Sequence, residues 1–273
     1  MRLVAVTGGK GGPGATTLAV GLAGAWAAAG QSVLLVDLDP AGGDVAAHLP
    51  VADVRRGVAP LLGSPGVPPG PTAVLAEVAQ VSRRVGLLAG LAQPDAAGLL
   101  HRDAVHALLA AVRRVQGLDL VVIDPGRLLP GSVAAAVLET AAVRVLAVRA
   151  DLPGALAAQR ALAATRQGPS LVPVAVGVQR PGDAAELADA LGRPLAGVIP
   201  ADPVGVRRAI QSGQPPTSGR LGRAYRTIAA QLHPTGGRAN RSRTRSRQRR
   251  MVLGSVGSGA PAPAACLGWV PGT

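Results

Sequence analysis

Leu3-Val4-Ala5-Val6-Thr7-Gly8-Gly9-Lys10-Gly11-Gly12-Pro13-Gly14-Ala15-Thr16-Thr17 runs from an apolar segment, through a glycine-rich loop, into an alanine-rich stretch. An apolar strand followed by such a loop and a helix is the context of a phosphate-binding turn. Successive backbone N–H groups and the positive end of the helix attract an anion there. Lys10 is the only lysine in the chain; the other 27 of its 28 Lys and Arg residues are arginine. Lysine is a compact point charge that enters a tight phosphate cradle, whereas arginine presents a wide planar fork.

The loop departs from the usual G-x-x-x-x-G-K-[ST] pattern. Counting from Gly9 to Gly14, the position before the hydroxyl residue is Ala15, not lysine. Thr16 keeps the hydroxyl that can ligate Mg²⁺. Lys10-Gly11-Gly12-Pro13-Gly14-Ala15-Thr16-Thr17 resembles the deviant Walker A box, K-G-G-x-G-K-T-T, of the MinD/ParA family. In that family the first lysine, matched here by Lys10, reaches across a dimer interface to the partner's nucleotide. The second lysine is the one replaced by Ala15. The G-G-x-G-A-T-T form resembles the CpaE/TadZ pilus-assembly and septum-site branch. Relatives of that branch often carry a receiver-like domain before the ATPase, and none is expected in a chain whose first strand starts near residue 3.

Composition sets the outer bounds. The chain has 273 residues, enough for one domain with a full core. With no Phe, one Tyr and two Trp, that core must be built from Val, Leu, Ile and Ala. One cysteine, Cys266, excludes an intramolecular disulfide framework and fits a reducing, cytoplasmic setting. Residues 11–36 lack charge, but they read as a glycine loop, a buried helix and a buried parallel strand rather than a membrane span.

Alternating strands and helices predict an α/β, doubly wound, mostly parallel sheet, the P-loop fold that the resemblance implies. Strands are expected near 3–7, 32–37, 82–89, 118–124, 143–148, 171–178 and 196–199. Helices are expected near 14–29, 102–115, 132–141, 154–166, 183–191, 203–211 and 220–232, with 51–74 a Pro/Gly-rich loop. The ATPase domain is placed at 1–232. Residues 233–273 hold seven arginines and no acid, about half of the net +13 charge. That segment has no apolar periodicity and is expected to be disordered.

Three acids end buried strands: Asp37 and Asp39 after the second, Asp124 after Leu120-Val121-Val122-Ile123. In doubly wound sheets ligands collect at the carboxyl ends of strands, so all three should face the glycine loop. Asp124 fits the acid that helps hold Mg²⁺. The alternative for each is a turn or cap residue. The resemblance implies further roles. Asp37-x-Asp39-Pro40 matches the family's D-x-D motif, with Asp37 supporting the Mg²⁺ shell alongside Thr16 and Asp124, and Asp39 orienting the attacking water. Gly9, Lys10, Gly11, Gly12, Gly14, Ala15, Thr16 and Thr17 would cradle the phosphates of ATP. Gln179-Arg180 stands where the family places Asn-Arg on the adenine, and Gly197-Val198-Ile199-Pro200-Ala201-Asp202 matches its G-x-I-P-x-D turn near the base, followed by Gly213-Gln214-Pro215. Asp151-Leu152-Pro153-Gly154-Ala155 resembles the segment that opens a helix containing an arginine, here Arg160.

Three functions follow. The first is a dimeric, slowly hydrolysing ATPase of the CpaE/TadZ type that positions a pilus or septum-site machine. The second is a ParA-like partitioning ATPase that binds nonspecific DNA through Arg207, Arg208, Arg220, Arg223 and Arg226, with Tyr225 beside them. The third is a nucleotide-binding scaffold without hydrolysis. The arginine-rich tail suits nucleic-acid phosphates or an anionic membrane surface. It lacks the apolar face of an amphipathic anchor. His48, His101, His106 and His233 have no metal-ligand spacing.

Overall fold

The computed structural model describes residues 1–12, 14–51, 57–62, 68–165 and 170–232. Eight strands form one sheet: β1 (Arg2–Gly8), β2 (Val33–Asp37), β3 (Ala79–Ser82), β4 (Val85–Leu88), β5 (Leu120–Asp124), β6 (Val143–Arg149), β7 (Val172–Val178) and β8 (Gly197–Pro200). Their spatial order is β3-β4-β2-β5-β1-β6-β7-β8. Only β3 runs antiparallel, against β4. The central strands are apolar along their whole length: all five residues of β2 and of β5 are buried. Strands covered on both faces need such unbroken runs.

Helices cover both faces. One carries α1 (Ala15–Ala28) and α9 (Gly219–Gln231), whose buried residues share a core with β1, β2 and β5. The other carries α2 (Val58–Leu62), α3 (Pro71–Glu77), α4 (Arg102–Arg113), α5 (Val133–Thr140), α6 (Leu152–Ala164) and α7 (Pro181–Leu191). The α8 helix (Pro203–Ser212) follows β8 and has no fully buried residue.

Helix α1 has no polar face, because it is enclosed between the sheet and α9. Two glycines let α9 and its approach come this close. A Cβ on Gly21 would lie 2.3 Å from the Tyr225 ring, and one on Gly24 would lie 2.3 Å from Pro215. Trp26 Nε1 donates to the Ala229 carbonyl at 3.3 Å. The uncharged stretch 11–36 is thus a loop, a helix and a strand, and no helix among the described residues is long and apolar enough to cross a membrane.

Several expectations need correction. The 51–74 segment is not all loop: it contains α2 and the start of α3, which bury Val58, Leu61 and Val74. Pro71 begins α3, where its missing N–H and fixed φ suit a first helical turn. The single strand expected at 82–89 is a hairpin: β3 and β4 meet through Arg83-Arg84. Tyr225 does not sit with the basic side chains. It is 1% exposed and faces α1, while Arg223 and Arg226 lie on the solvent side of α9. The tail from 233 onward, including His233 and Cys266, lies outside the described residues, as does Pro13 of the loop.

Candidate functional site

β1 ends at Gly8 in the middle of the sheet, flanked by β5 and β6, and the chain turns through the glycine loop into α1. Gly12 and Gly14 adopt left-handed backbone angles, φ 73° and 83°, which glycine reaches without a Cβ penalty. A Cβ on Gly11 or Gly12 would meet nothing within 4 Å, so this side of the loop borders open space. A Cβ on Gly9 would lie 2.7 Å from the Ala157 carbonyl oxygen, so that glycine lets the loop rest against α6. Lys10 is exposed, Thr16 and Thr17 are half-buried, and Ala15 is buried at the first position of α1.

The carboxylates converge beside the loop. Asp37 and Asp124 are register partners on adjacent parallel strands, 0% and 2% exposed. Asp124 accepts the Gly126 N–H at 3.1 Å, and the Thr16 hydroxyl beside it partly offsets the rise of its pKa. Thr16 lies in the first turn of α1, so the loop-bearing helix begins next to the end of β5. Asp37 accepts the N–H groups of Asp39 (3.2 Å) and Val45 (3.0 Å). Asp39 accepts the Ala41 N–H at 2.9 Å. Thr7 donates to the Gly126 carbonyl at 2.6 Å, and Leu128 N–H donates to the Gly8 carbonyl at 2.9 Å. The segment after Asp124 is therefore tied to the root of the loop.

Glycines hold these acids in place by leaving room for them. A Cβ on Gly43 would lie 2.6 Å from Asp37 Oδ2 and 2.8 Å from Gly90 Cα. A Cβ on Gly126, at φ 70°, would lie 2.6 Å from Asp39 Oδ1. Sequence reasoning missed Gly43, Gly90 and Gly126. For Gly43 and Gly126 the signal was glycine shortly after a strand-terminal acid, a common turn mark. Gly90 follows its own strand, and only the fold brings it to Asp37.

Burial raises the pKa of Asp37 to about 7, reinforced by the Asp124 charge, and that of Asp124 to about 6. Two buried acids side by side resist full ionisation unless a cation joins them. Two carboxylates and a threonine hydroxyl suit Mg²⁺, which prefers oxygen ligands and retains water and phosphate in its shell. Among the described residues no group of three or more His, Cys, Asp or Glu could hold a metal by itself. The donor set therefore fits a cation bound together with phosphate.

The residues matched to base recognition lie farther out, at the same edge of the sheet. Gln179 is exposed after β7, and Pro200 ends β8. Asp202 accepts the Gly205 N–H at 2.8 Å and caps α8, the structural alternative to a ligand role. Arg180 is engaged locally by Asp183 at 2.9 Å.

A parallel α/β sheet with a left-handed glycine loop, a helix N-terminus and strand-end carboxylates at one edge defines a P-loop nucleotide-binding protein. Residues 4–217 match the family described as the CobQ/CobB/MinD/ParA nucleotide binding domain, and the chain belongs to it. Among solved structures, the ParA family ATPase from Chlorobium tepidum TLS superposes with a TM-score of 0.74 at 18% identity, covering 84% of this chain and 98% of that one. The cell division ATPase MinD of Pyrococcus furiosus gives 0.71 at 20% identity, covering 85% and 98%. The septum site-determining protein MinD of Pyrococcus horikoshii, complexed with Mg-ADP, gives 0.71 at 19% identity, covering 85% and 96%. No curated protein matches the sequence significantly.

Proposed function

We propose that this chain is an ATP-binding, slowly hydrolysing switch ATPase. It would dimerise around two nucleotides and position a cellular machine, as CpaE/TadZ-like pilus and septum-site proteins do. The observation that carries the reading is the pair of buried strand-end acids, Asp37 and Asp124, in register beside the point where the glycine loop enters α1 with Thr16 in its first turn. The loop N–H groups, with Gly9, Gly11, Gly12, Gly14 and Thr17, would hold phosphate oxygens. Thr16 and Asp124 would hold Mg²⁺, which neutralises phosphate charge when bound. Asp37 would keep the following loop in shape and support the metal's outer shell. Asp39 would orient the attacking water, and Lys10, exposed on the loop, would serve the partner's site. Gln179, Pro200 and Asp202 would border the base.

Ala15 is the reason to expect slow turnover. A lysine there would supply one charge-assisted contact, worth about 1.5–3 kcal/mol, or roughly ten- to a hundredfold. Ala15→Lys is therefore expected to tighten ATP binding by about that factor.

A second reading, ParA-like partitioning on nonspecific DNA, is favoured by the exposure of Arg207, Arg208, Arg220, Arg223 and Arg226 on α8 and α9. Salt-dependent DNA binding that is lost when these five become glutamine would support it.

The deciding experiment measures Mg²⁺-ATP binding, turnover and light scattering for the wild type, Lys10→Ala and Asp39→Ala. The switch reading expects binding, dimers and slow turnover in the wild type, loss of dimer in Lys10→Ala, and loss of turnover alone in Asp39→Ala. Binding without any turnover or dimer leaves the scaffold reading. No binding at all defeats both.

A further inference from the structure

A groove of about 1220 Å³ opens between α5 and α6 beside the glycine loop. Gly9, Lys10 and Gly11 line one end, exposed leucines (Leu129, Leu152 and Leu156) line its wall, and Arg127 lies among its lining. Arg127 takes no part in the glycine loop or the carboxylate cluster. It is exposed, and its side chain makes no hydrogen bond or ion pair among the described residues.

The backbone of Arg127, by contrast, is held from both sides. Arg127 forms a parallel bridge with Gly8, the last residue of β1. The residue after it, Leu128, is buried and donates its N–H to the Gly8 carbonyl at 2.9 Å. The residue before it, Gly126, donates to Asp124 at 3.1 Å and accepts from the Thr7 hydroxyl at 2.6 Å. Asp39 Oδ1 lies 2.6 Å from where a Gly126 Cβ would stand. A free guanidinium therefore rises from a fixed turn that joins Asp124, Asp39 and the root of the phosphate loop. A fixed base reduces the freedom that a long side chain loses when it takes a ligand.

The site lacks a cation that Arg127 can supply. Ala15, 9% exposed in the first turn of α1, offers no charge to phosphate oxygens. Lys10 serves the partner's site in the reading above, and Arg149, at the end of β6, is held by Asp151 at 2.7 Å. The planar fork of arginine meets two phosphate oxygens at once. We propose that Arg127 stands in for the missing loop lysine: its guanidinium binds the terminal phosphate of the nucleotide held by its own subunit. The inference rests on the nucleotide-site reading above and adds to it the residue that tells a triphosphate from a diphosphate. The same contact stabilises the charge spread over the terminal oxygens during phosphoryl transfer.

The test measures binding of fluorescent ATP and ADP analogues, with Mg²⁺, to the full chain at a concentration where light scattering shows a monomer, so that no partner contributes. Arg127→Gln should weaken ATP binding by about tenfold or more and change ADP binding by less than about twofold. Arg114→Gln removes the same charge where α4 leads into β5, at the end of the sheet opposite the loop, and should leave both affinities unchanged. Ala15→Lys should tighten ATP binding by about tenfold more in the Arg127→Gln background than in the wild type. In that background the lysine replaces an absent contact instead of adding to a present one. ATP affinity of Arg127→Gln within about twofold of the wild type overturns the proposal and leaves the nucleotide site standing. Equal losses for ATP and ADP, or equal gains from Ala15→Lys in the two backgrounds, overturn it as well. A wild type that binds neither nucleotide defeats the site reading and this inference with it. Circular dichroism checks that Arg127→Gln folds as the wild type does.

Discussion

The carboxylate site and the α5–α6 groove share Gly9, Lys10 and Gly11, yet they handle charge in opposite ways. In the first, acids are buried, paired in register and fenced by glycines whose missing Cβ atoms leave no slack. In the second, leucines are exposed and cations stand in solvent around them. Burial makes the first site rigid and sensitive to protons and metal. Exposure makes the second tolerant of substitution in the free protein. The contrast predicts large effects of small changes at the carboxylates and small stability effects in the groove.

The largest expected effect is on pH dependence. Asp37 and Asp124 have folded pKa values raised from 3.8 to about 7 and about 6, so the folded chain holds protons that the unfolded chain has already released. Stability contributed by the pair is therefore full below about pH 4 and falls as pH rises toward 7, by roughly 6 kcal/mol for the two shifts together. Denaturant titrations across that range should show the fall. Asp124→Asn should reduce it, because the amide oxygen can accept from Gly126 without charge. A wild-type slope unaltered by that substitution breaks the contrast.

Next comes packing. Gly43→Ala presses a methyl group between Asp37 and the Gly90 backbone, where nothing flexible can yield, and should cost about 2–3 kcal/mol. Thermal unfolding checks this. An alanine tolerated there at no cost means that the carboxylate is less tightly held than its surroundings imply.

Metal dependence is expected to be somewhat smaller. Asp124→Asn should lower Mg²⁺-dependent ATP affinity by roughly tenfold, about 1.4 kcal/mol, while leaving Mg²⁺-free binding nearly unchanged. Calorimetry with and without Mg²⁺ separates the two. Equal losses in both would move Asp124 from metal ligand to structural residue.

The smallest effect should be Leu152→Ser in the groove, within about 0.5 kcal/mol of wild-type stability and without change in nucleotide binding. A large loss there would make this wall part of the folding core and erase the distinction.

Much of the fold was legible because buried parallel strands and their helices leave strong local signals. The runs Leu3–Val6, Val33–Val36 and Leu120–Ile123 carry no charge and are bounded by turn residues, so their assignment needed no tertiary knowledge. The β3–β4 hairpin and the α2 and α3 helices were missed for the opposite reason. Their few buried residues, such as Val58, Val74 and Val81, are spaced too sparsely among Pro, Gly and Arg to show a period. Tyr225 was misplaced because its neighbours in sequence are arginines, while its neighbours in space are Gly21 and the rest of α1.

By itself, the sequence determined the glycine loop, the alternation of strands and helices, and the acids at strand ends, since each depends on residues close together in the chain. Only the tertiary structure decided that Asp37 and Asp124 lie in register, that Gly90 makes room for the first, and that α5 and α6 leave an apolar groove ringed by arginines. Those facts belong to residues dozens of positions apart. Their meeting is set by strand order and helix packing, which no local pattern encodes.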